Sequence, residues 1–269
     1  MKFYLGVHRQ HWLWDDRVKE VPLFVSHHQL KTRKTPFPRA VTRWALDSGG
    51  FSELDRHHKF ETTPEEYVAA VRRYQSELGS LDWASPQDWM CEPWMIAKTG
   101  LSVEEHQRRT VANFLKLREL APELPFVPVV QGWEIDDYVA CVEMYEAAGV
   151  DLTSFPAVGI GSVCRRQSTD DIGEIFALMR SKGIRCHGYG VKSAGLKKYG
   201  QHLESADSMA WSYRARRAAH DRVAQGLVGS VDGCDKKNCA NCLHFGLEWR
   251  AKVLASIPTQ PLLYAGTHG

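Results

Sequence analysis

Trp44-Ala45-Leu46-Asp47-Ser48-Gly49-Gly50-Phe51 joins a short apolar segment to an acid and a tight glycine turn. A short apolar run that ends at turn residues is typical of a buried parallel strand. The two glycines allow the backbone to approach a ligand closely and to offer amide donors to it. A plain strand-to-loop turn would also account for these residues, so the rest of the chain must decide between the two interpretations.

The same kind of segment recurs along the chain, with amphipathic sequence between its copies. Eight strands are predicted on this basis. Eight strands with intervening helices favour the α/β class and a closed (β/α)8 TIM barrel over an open doubly wound sheet. The predicted strands are Phe3–Val7, Leu23–Ser26, Trp44–Asp47, Leu81–Ala84, Phe126–Val130, Ala157–Ile160, Cys186–Tyr189 and Ser208–Trp211.

Helix starts are recognisable between several of these strands. Thr63-Pro64-Glu65-Glu66 places a capping threonine before a proline and two acids. Ser102-Val103-Glu104-Glu105 has the spacing of a capping box. Trp133-Glu134 is expected to open a third helix, and Ser168 or Thr169 a fourth.

The chain has 269 residues and a net charge of +2. This length suits one barrel of about 250 residues, so a single domain over residues 1–269 is predicted. The net charge is too small to indicate nucleic-acid binding by itself. Basic residues do cluster in the second half, although each pair taken alone is more simply a solvated surface. The clusters are Arg165-Arg166, Lys197-Lys198, Arg214 with Arg216 and Arg217, and Lys236-Lys237.

Composition also bears on the compartment. No apolar run approaches the roughly 18 residues that a membrane span needs, and the segment from Met1 to Gly6 lacks the pattern of a signal peptide. Seven cysteines, an odd number with three of them clustered, do not resemble a secreted disulfide framework. We expect a cytosolic protein that makes no membrane contact.

Barrel enzymes place their working residues at the C-terminal ends of the strands. This rule brings side chains from different strands to one mouth and pairs the acid of the opening turn with a second acid near the last strand. Two such carboxylates suggest acid/base or nucleophilic chemistry on a nucleic-acid substrate. The selected residues are Asp47, Asp88, Gln131, Gly161, Tyr189 and Asp207.

Three of these residues suit a planar base. The Asp88 carboxylate can accept two hydrogen bonds from a guanine-like N–H and amino pair. Gln131, followed by Gly132, can read a carbonyl and an amino group, and Tyr189 between two glycines has room to stack on a ring. A solvated glutamine and a core tyrosine are the alternatives. Asp82 competes with Asp88 but is expected within a strand, inside the barrel or in an ion pair.

Cys234-x4-Cys239-x2-Cys242 is the strongest local signal in the chain. Thiolates at such spacing suit tetrahedral Zn²⁺, which needs a fourth ligand. His244 is the first candidate, followed by His268 and His220. An all-thiol redox cluster is the alternative. We predict a structural zinc site in a small subdomain of about residues 230–269.

In this order the motifs resemble the tRNA-guanine transglycosylase superfamily, a family of zinc-bearing (β/α) barrels. The resemblance is greatest to its DNA-acting branch, the bacterial and phage DpdA-like deazapurine transglycosylases. It covers roughly Trp44 to Cys242. The matching pieces are the Asp-Ser-Gly-Gly-Phe turn, the Asp88 segment, Val-Gln-Gly, Gly-Ile-Gly, Gly-Tyr-Gly-Val, Asp207 with Ala215-Arg216, and the cysteine cluster.

The resemblance implies a role for each matching residue. Asp207 would be the nucleophile and Asp47 the general acid/base. Ser48 and Gly49 of the glycine turn, and Gly161 of the Gly-Ile-Gly motif, would contact the substrate. Asp88, Gln131 and Gly132 would hold the base edge while Tyr189 stacks on the purine. The phosphates would be held by Arg214, Arg216, Arg217, Lys236 and Lys237.

The implied reaction exchanges guanine in DNA for a free 7-deazaguanine, such as 7-cyano-7-deazaguanine. It would take place in the cytoplasm of a bacterium or a phage-infected cell, with proteins that open DNA as possible partners. The residues after Asp207, Ser-Met-Ala-Trp-Ser-Tyr, differ from those of the tRNA enzymes and favour the DNA branch. A tRNA base-exchange enzyme, a catalytically silent nucleic-acid-binding barrel and a metabolic barrel enzyme are the alternatives.

Overall fold

The computed structural model describes residues 1–164, 166, 170–225 and 242–257. Eight strands form one parallel sheet in the order β4-β3-β2-β1-β8-β7-β6-β5. A parallel bridge between Ala84 of β4 and Phe126 connects the two edges of this curled sheet. The strands are β1 (Lys2–Gly6), β2 (Leu23–Ser26), β3 (Trp44–Asp47), β4 (Leu81–Ala84), β5 (Val129–Val130), β6 (Val158–Ile160), β7 (Cys186–Gly188) and β8 (Leu203–Ser208).

Helices follow the strands, which confirms the predicted α/β class. Where described, none of them is long and apolar enough to cross a membrane. They are α1 (His27–Leu30), α2 (Gly50–His57), α3 (Pro64–Glu77), α4 (Pro93–Thr99), α5 (Val103–Leu120), α6 (Ile135–Ala147), α7 (Asp170–Ser181), α8 (Ser193–Tyr199), α9 (Ala210–Ala224) and α10 (Leu243–Ala255).

The predicted helix starts are largely confirmed. Thr63 and Glu66 form a complete capping box at the start of α3. Ser102 caps α5 by accepting the Glu105 amide, but the Glu105 carboxylate binds Arg108 and Arg109 instead of closing the box. Such a carboxylate gains more from two guanidinium groups than from one amide. The predicted start of α7 at Ser168 or Thr169 lies outside the described residues.

The prediction of a strand over Ser208–Trp211 is wrong. In the part of the chain that the structure describes, the last strand is β8, which ends at Ser208, and α9 begins two residues later. The apolar residues at this point belong to the helix, where Trp211 is buried and its indole N–H donates to the Gly6 carbonyl. The true strand was missed because Ser205 and Asp207 interrupt its apolar pattern.

The sheet separates two packed regions. Its outer face packs against the helices in one large cluster, while its concave face holds a smaller aromatic cluster that includes Tyr4, Phe24 and Trp83. Asp82 closes this inner region with ion pairs to Lys2 and Arg43 and accepts the Tyr4 hydroxyl. The prediction of an ion-paired Asp82 is therefore confirmed. This packing leaves the opposite, C-terminal ends of the strands open to a cavity.

Candidate active site

A cavity of about 240 Å³ lies where the C-terminal ends of the strands meet. Six of the residues selected from the sequence line it, and each comes from the end of a different strand or the residues after it. Parallel strands direct their carboxyl ends to the same rim, so residues far apart in sequence converge there. They are Asp47, Asp88, Gln131, Gly161, Tyr189 and Asp207.

Asp47 is the last residue of β3 and is held by the turn that leads into α2. Gly49 has a φ of 82°, and a Cβ there would lie 2.4 Å from the His28 ring, so only glycine suits this position. The pKa of Asp47 is raised to about 6, mainly by burial and also by the Asp207 charge, although the hydrogen bond with the Ser26 hydroxyl lowers it. Asp47 is therefore placed to exchange a proton near neutral pH.

Asp88 and Gln131 form a hydrogen-bonded pair on one wall of the cavity. The Gln131 amide nitrogen donates to Asp88 Oδ2 at 2.6 Å, and the Ser162 hydroxyl lies 2.8 Å from Gln131 Oε1. A Cβ on Gly161 would lie 2.2 Å from the Gln131 amide, so glycine is needed for this close approach. Burial, followed by the Asp47 charge, raises the pKa of Asp88 to about 7.

Asp207 is buried near the end of β8 and lines the same cavity. Its Oδ1 accepts the Gly190 amide at 2.8 Å. The Nε2 atom of His187 lies 3.5 Å from the same oxygen. The carboxylate is thus held from the β7 side, in the cavity that Asp47 also lines.

Tyr189 contributes an aromatic wall. Its hydroxyl is 2.7 Å from the Ser85 hydroxyl, and its ring packs 6.0 Å from Phe24, centroid to centroid. A Cβ at Gly159 would lie 2.4 Å from the Tyr189 hydroxyl, which explains the glycine in β6. Phe51, with 42% of its surface exposed, also lines the cavity.

Three predicted substrate residues do not line the cavity. The buried Ser48 hydroxyl accepts the Gly50 amide and so stabilises the turn. Gly49 faces His28, whose Nε2 lies 3.2 Å from the Gly49 carbonyl. Gly132 packs against Tyr138, where a Cβ would lie 2.8 Å from the ring. The positions of these three residues favour support of the neighbouring acids over direct contact with a ligand.

Two buried polar residues in the cavity wall escaped the sequence analysis. Ser162 has a φ of 56°, which is unusual for a residue with a side chain. Its hydroxyl accepts the Cys91 amide and lies 3.0 Å from Glu92 Oε2. The Gly-Ile-Gly turn pointed to this region, but nothing in the sequence near Glu92 marks it as a cavity residue.

The predicted phosphate contacts fall partly within the described residues. Arg214, Arg216 and Arg217 are exposed on α9, the helix that follows Asp207 directly. Met209, just before this helix, lines the cavity. Lys236 and Lys237 lie outside the described residues.

Only some of the predicted zinc ligands lie within the described residues. Cys234, Cys239 and His268 lie outside the described residues. Cys242 is buried at the start of α10. His244 in its first turn has its Nε2 atom 3.0 Å from the Glu248 carboxylate. Within the described ranges, no three His, Cys, Asp or Glu side chains are grouped to hold a metal ion.

One known protein family matches nearly the whole chain. The sequence model of the DpdA family, described as DeoxyPurine in DNA protein A, matches residues 1–263. The chain therefore belongs to the DpdA family, as its motifs predicted. No curated protein matches it.

Two of the solved structures that match the chain illustrate how distant these matches are. A putative isomerase from Sinorhizobium meliloti is 11% identical with a TM-score of 0.41, and the match covers 81% of this chain and 52% of that chain. The YdjI aldolase from Escherichia coli K12 is 12% identical with a TM-score of 0.42, covering 94% and 86%. The chain spans about half the length of the isomerase.

Proposed function

We propose that this protein exchanges guanine in DNA for a free 7-deazaguanine through a covalent aspartyl–glycosyl intermediate. The observation that carries the proposal is the shared cavity of Asp47 and Asp207, with the Asp88–Gln131 pair on its wall. Two carboxylates with separate roles are what a retaining exchange at a glycosidic carbon requires. Membership of the DpdA family supports DNA as the substrate.

The first half of the exchange releases guanine. The Asp207 carboxylate attacks C1′ of the deoxyguanosine, and the bond from C1′ to the base nitrogen breaks. The protonated form of Asp47 delivers its proton to that nitrogen, so guanine leaves and Asp47 becomes a carboxylate. The product is a glycosyl ester of Asp207. Gly190 holds one oxygen of the carboxylate, which fixes its direction for the attack.

The second half inserts the new base. A 7-deazaguanine gives the proton of its ring nitrogen to Asp47, and the same nitrogen attacks C1′. The bond from C1′ to the aspartate oxygen then breaks, so the configuration at C1′ is retained. A pKa of about 6 lies close enough to neutral pH for Asp47 to give up its proton in the first half and to accept one in the second.

The Asp88–Gln131 pair suits the edge of guanine. The Asp88 carboxylate would accept the ring N–H and the amino group, and the Gln131 amide would donate to the carbonyl. Because guanine and 7-deazaguanine share this edge, both bases could occupy the site in turn. Tyr189 would cover the ring plane.

The target base must leave the DNA stack to enter the cavity, or be single-stranded already, at a cost of a few kcal/mol for a paired base. Arg214, Arg216 and Arg217 would hold the phosphates around it, with Lys236 and Lys237 in addition. Proteins that open the duplex are proposed partners. We place the reaction in the cytoplasm of a bacterium or phage-infected cell.

We further propose one structural Zn²⁺ in a subdomain of about residues 230–269 within a single 1–269 domain. Cys234, Cys239 and Cys242 would bind it with His244, and the metal would cross-link the chain around the start of α10. Metal analysis of the purified protein and of Cys242→Ser tests this. We expect one zinc per wild-type chain and a loss in the variant; a zinc-free, folded wild type would contradict it.

The deciding experiment is mass spectrometry of nucleosides from DNA and tRNA of cells that express the protein and are supplied with a 7-deazaguanine. We expect the modified nucleoside in DNA from wild type, none from Asp207→Asn, and a normal amount from Asp136→Asn, which removes an exposed acid. Modification of tRNA alone would assign the tRNA reaction instead. An Asp207→Asn protein that still forms a covalent DNA adduct would contradict the proposed nucleophile.

A further inference from the structure

His187 is a buried ionisable side chain that the proposed reaction does not yet use. It lies in β7 on the concave face of the sheet, with none of its surface exposed. Aromatic rings surround it, including Trp83 at 4.7 Å and Tyr189 at 4.9 Å between centroids. An apolar residue would fill such a site without burying polar atoms that need hydrogen-bond partners. The presence of an imidazole here therefore suggests that its ring nitrogens have a role.

Both ring nitrogens face polar atoms of the neighbouring strand. Nδ1 lies 2.9 Å from the Ser205 hydroxyl, and Nε2 lies 3.5 Å from Asp207 Oδ1. Ser205 and Asp207 are two residues apart on β8 and so point to the same face. His187 is paired with Ser205 in the ladder, which places the ring beside both side chains.

The Ser205 hydroxyl can set the tautomer of the ring. When it donates to Nδ1, the imidazole proton is on Nε2 and is directed at the Asp207 carboxylate. Among the residues that the structure describes, the Nε2 atom has no hydrogen-bond partner, because 3.5 Å exceeds an ordinary N–H···O distance. Contacts of this kind commonly shorten when the substrate is bound.

We infer that His187 is a positioning residue for Asp207, with Ser205 fixing its tautomer. The Gly190 amide and the His187 Nε2–H converge on Oδ1. This arrangement assigns Oδ2 to the bond with C1′. The inference rests on the proposed base exchange and names a residue for its second half.

The two donors act when the ester is broken. The incoming ring nitrogen attacks C1′ and gives its proton to Asp47, while the electron pair of the C1′–Oδ2 bond returns to the Asp207 carboxylate. Charge then develops on Oδ1 as well as Oδ2, so donors aimed at Oδ1 stabilise the departing carboxylate. Loss of His187 should therefore slow base insertion more than guanine release.

The test compares His187→Phe, which keeps a ring but no donor, with His187→Gln, whose amide can reach the position of Nε2. Guanine release, 7-deazaguanine insertion and covalent adduct are measured separately on single-stranded DNA. For His187→Phe we expect insertion about 10- to 100-fold slower, adduct accumulation, and an unchanged KM for the free base. His187→Gln should recover part of the rate.

Ser205→Ala provides a second variant in case His187→Phe does not fold, and it should also accumulate adduct. His27→Phe, at a buried histidine bonded to Tyr74, is the control for the effect of the exchange on stability. Insertion at the wild-type rate in folded His187→Phe or Ser205→Ala would overturn the inference while leaving the base exchange intact. A wild-type protein that neither releases guanine nor forms adduct would instead overturn the proposed function.

Discussion

At the scale of single residues, two carboxyl groups of the cavity have pKa values near neutral. Burial raises the pKa of Asp47 to about 6 and that of Asp88 to about 7, and charge from a neighbouring carboxylate adds to each. The same burial that suits these groups to the proton exchange and base binding proposed above also opposes folding with both of them ionised. Function and stability therefore compete at these two positions.

Asp88→Asn should change this competition measurably. The folded pKa of Asp88, about 7, lies above its unfolded value of about 3.9, so its contribution to stability is fully present below pH 4 and is lost as the pH rises through 7. We expect Asp88→Asn to raise the free energy of unfolding at pH 8 by roughly 1–2 kcal/mol over wild type. Denaturant unfolding at pH 5 and pH 8 measures it, and an equal effect at both values would contradict the assignment.

Several of the residues that were found from the sequence are the last residue of a recognisable strand or directly follow one. Asp47 and Gln131 were found in this way. Glu92 was missed because it lies far beyond the end of β4 and is brought back to the cavity by its contact with Ser162. His187 was not selected because a sequence cannot show which strands are neighbours, and its partners come from β8.

At the scale of elements, the strands with strong apolar pattern were predicted with their observed bounds, as for β2, β3 and β4. The polar strand β8 was not, because its interior-facing Ser205 and Asp207 serve the site and weaken the pattern. Apolar residues of α9 were mistaken for that strand. A functional strand is thus the hardest to recognise by hydrophobicity alone.

Helix α9 also carries a prediction about DNA. Arg214, Arg216 and Arg217 are exposed on it, and phosphate contacts release counterions, so each contributes to the salt dependence of binding. Replacing all three by Ala should weaken binding to single-stranded DNA of any sequence and lower the slope of log K against log salt by about 2–3. Fluorescence anisotropy at several salt concentrations measures this. Lys182→Ala, at an exposed position after α7, should leave the slope unchanged, and an unchanged slope in the triple variant would exclude α9 from the interface.

At the scale of the whole molecule, the strand order unites the site. Asp207 precedes α9 near the end of the described chain, yet β8 pairs with β1 and lies two strands from β2 and three from β3. A parallel sheet that curls on itself brings acids 160 residues apart in sequence to one rim, as Asp47 and Asp207 show. The eight-strand count predicted this convergence, while the distances and hydrogen bonds at the rim required the structure.

The hydrogen bond between Asp88 and Gln131 also spans the place where the Ala84–Phe126 bridge joins the two edges of the sheet. Strands β1 and β8 are joined by four residue pairs, whereas the join between β4 and the chain before β5 has this one bridge. Asp88 follows β4 and Gln131 follows β5, so their hydrogen bond adds a side-chain contact between two edges that share a single β-bridge. On the proposed function, a base that binds the Asp88 carboxylate would replace this hydrogen bond with contacts of its own. We therefore expect a bound base to connect the two edges of the sheet at this point.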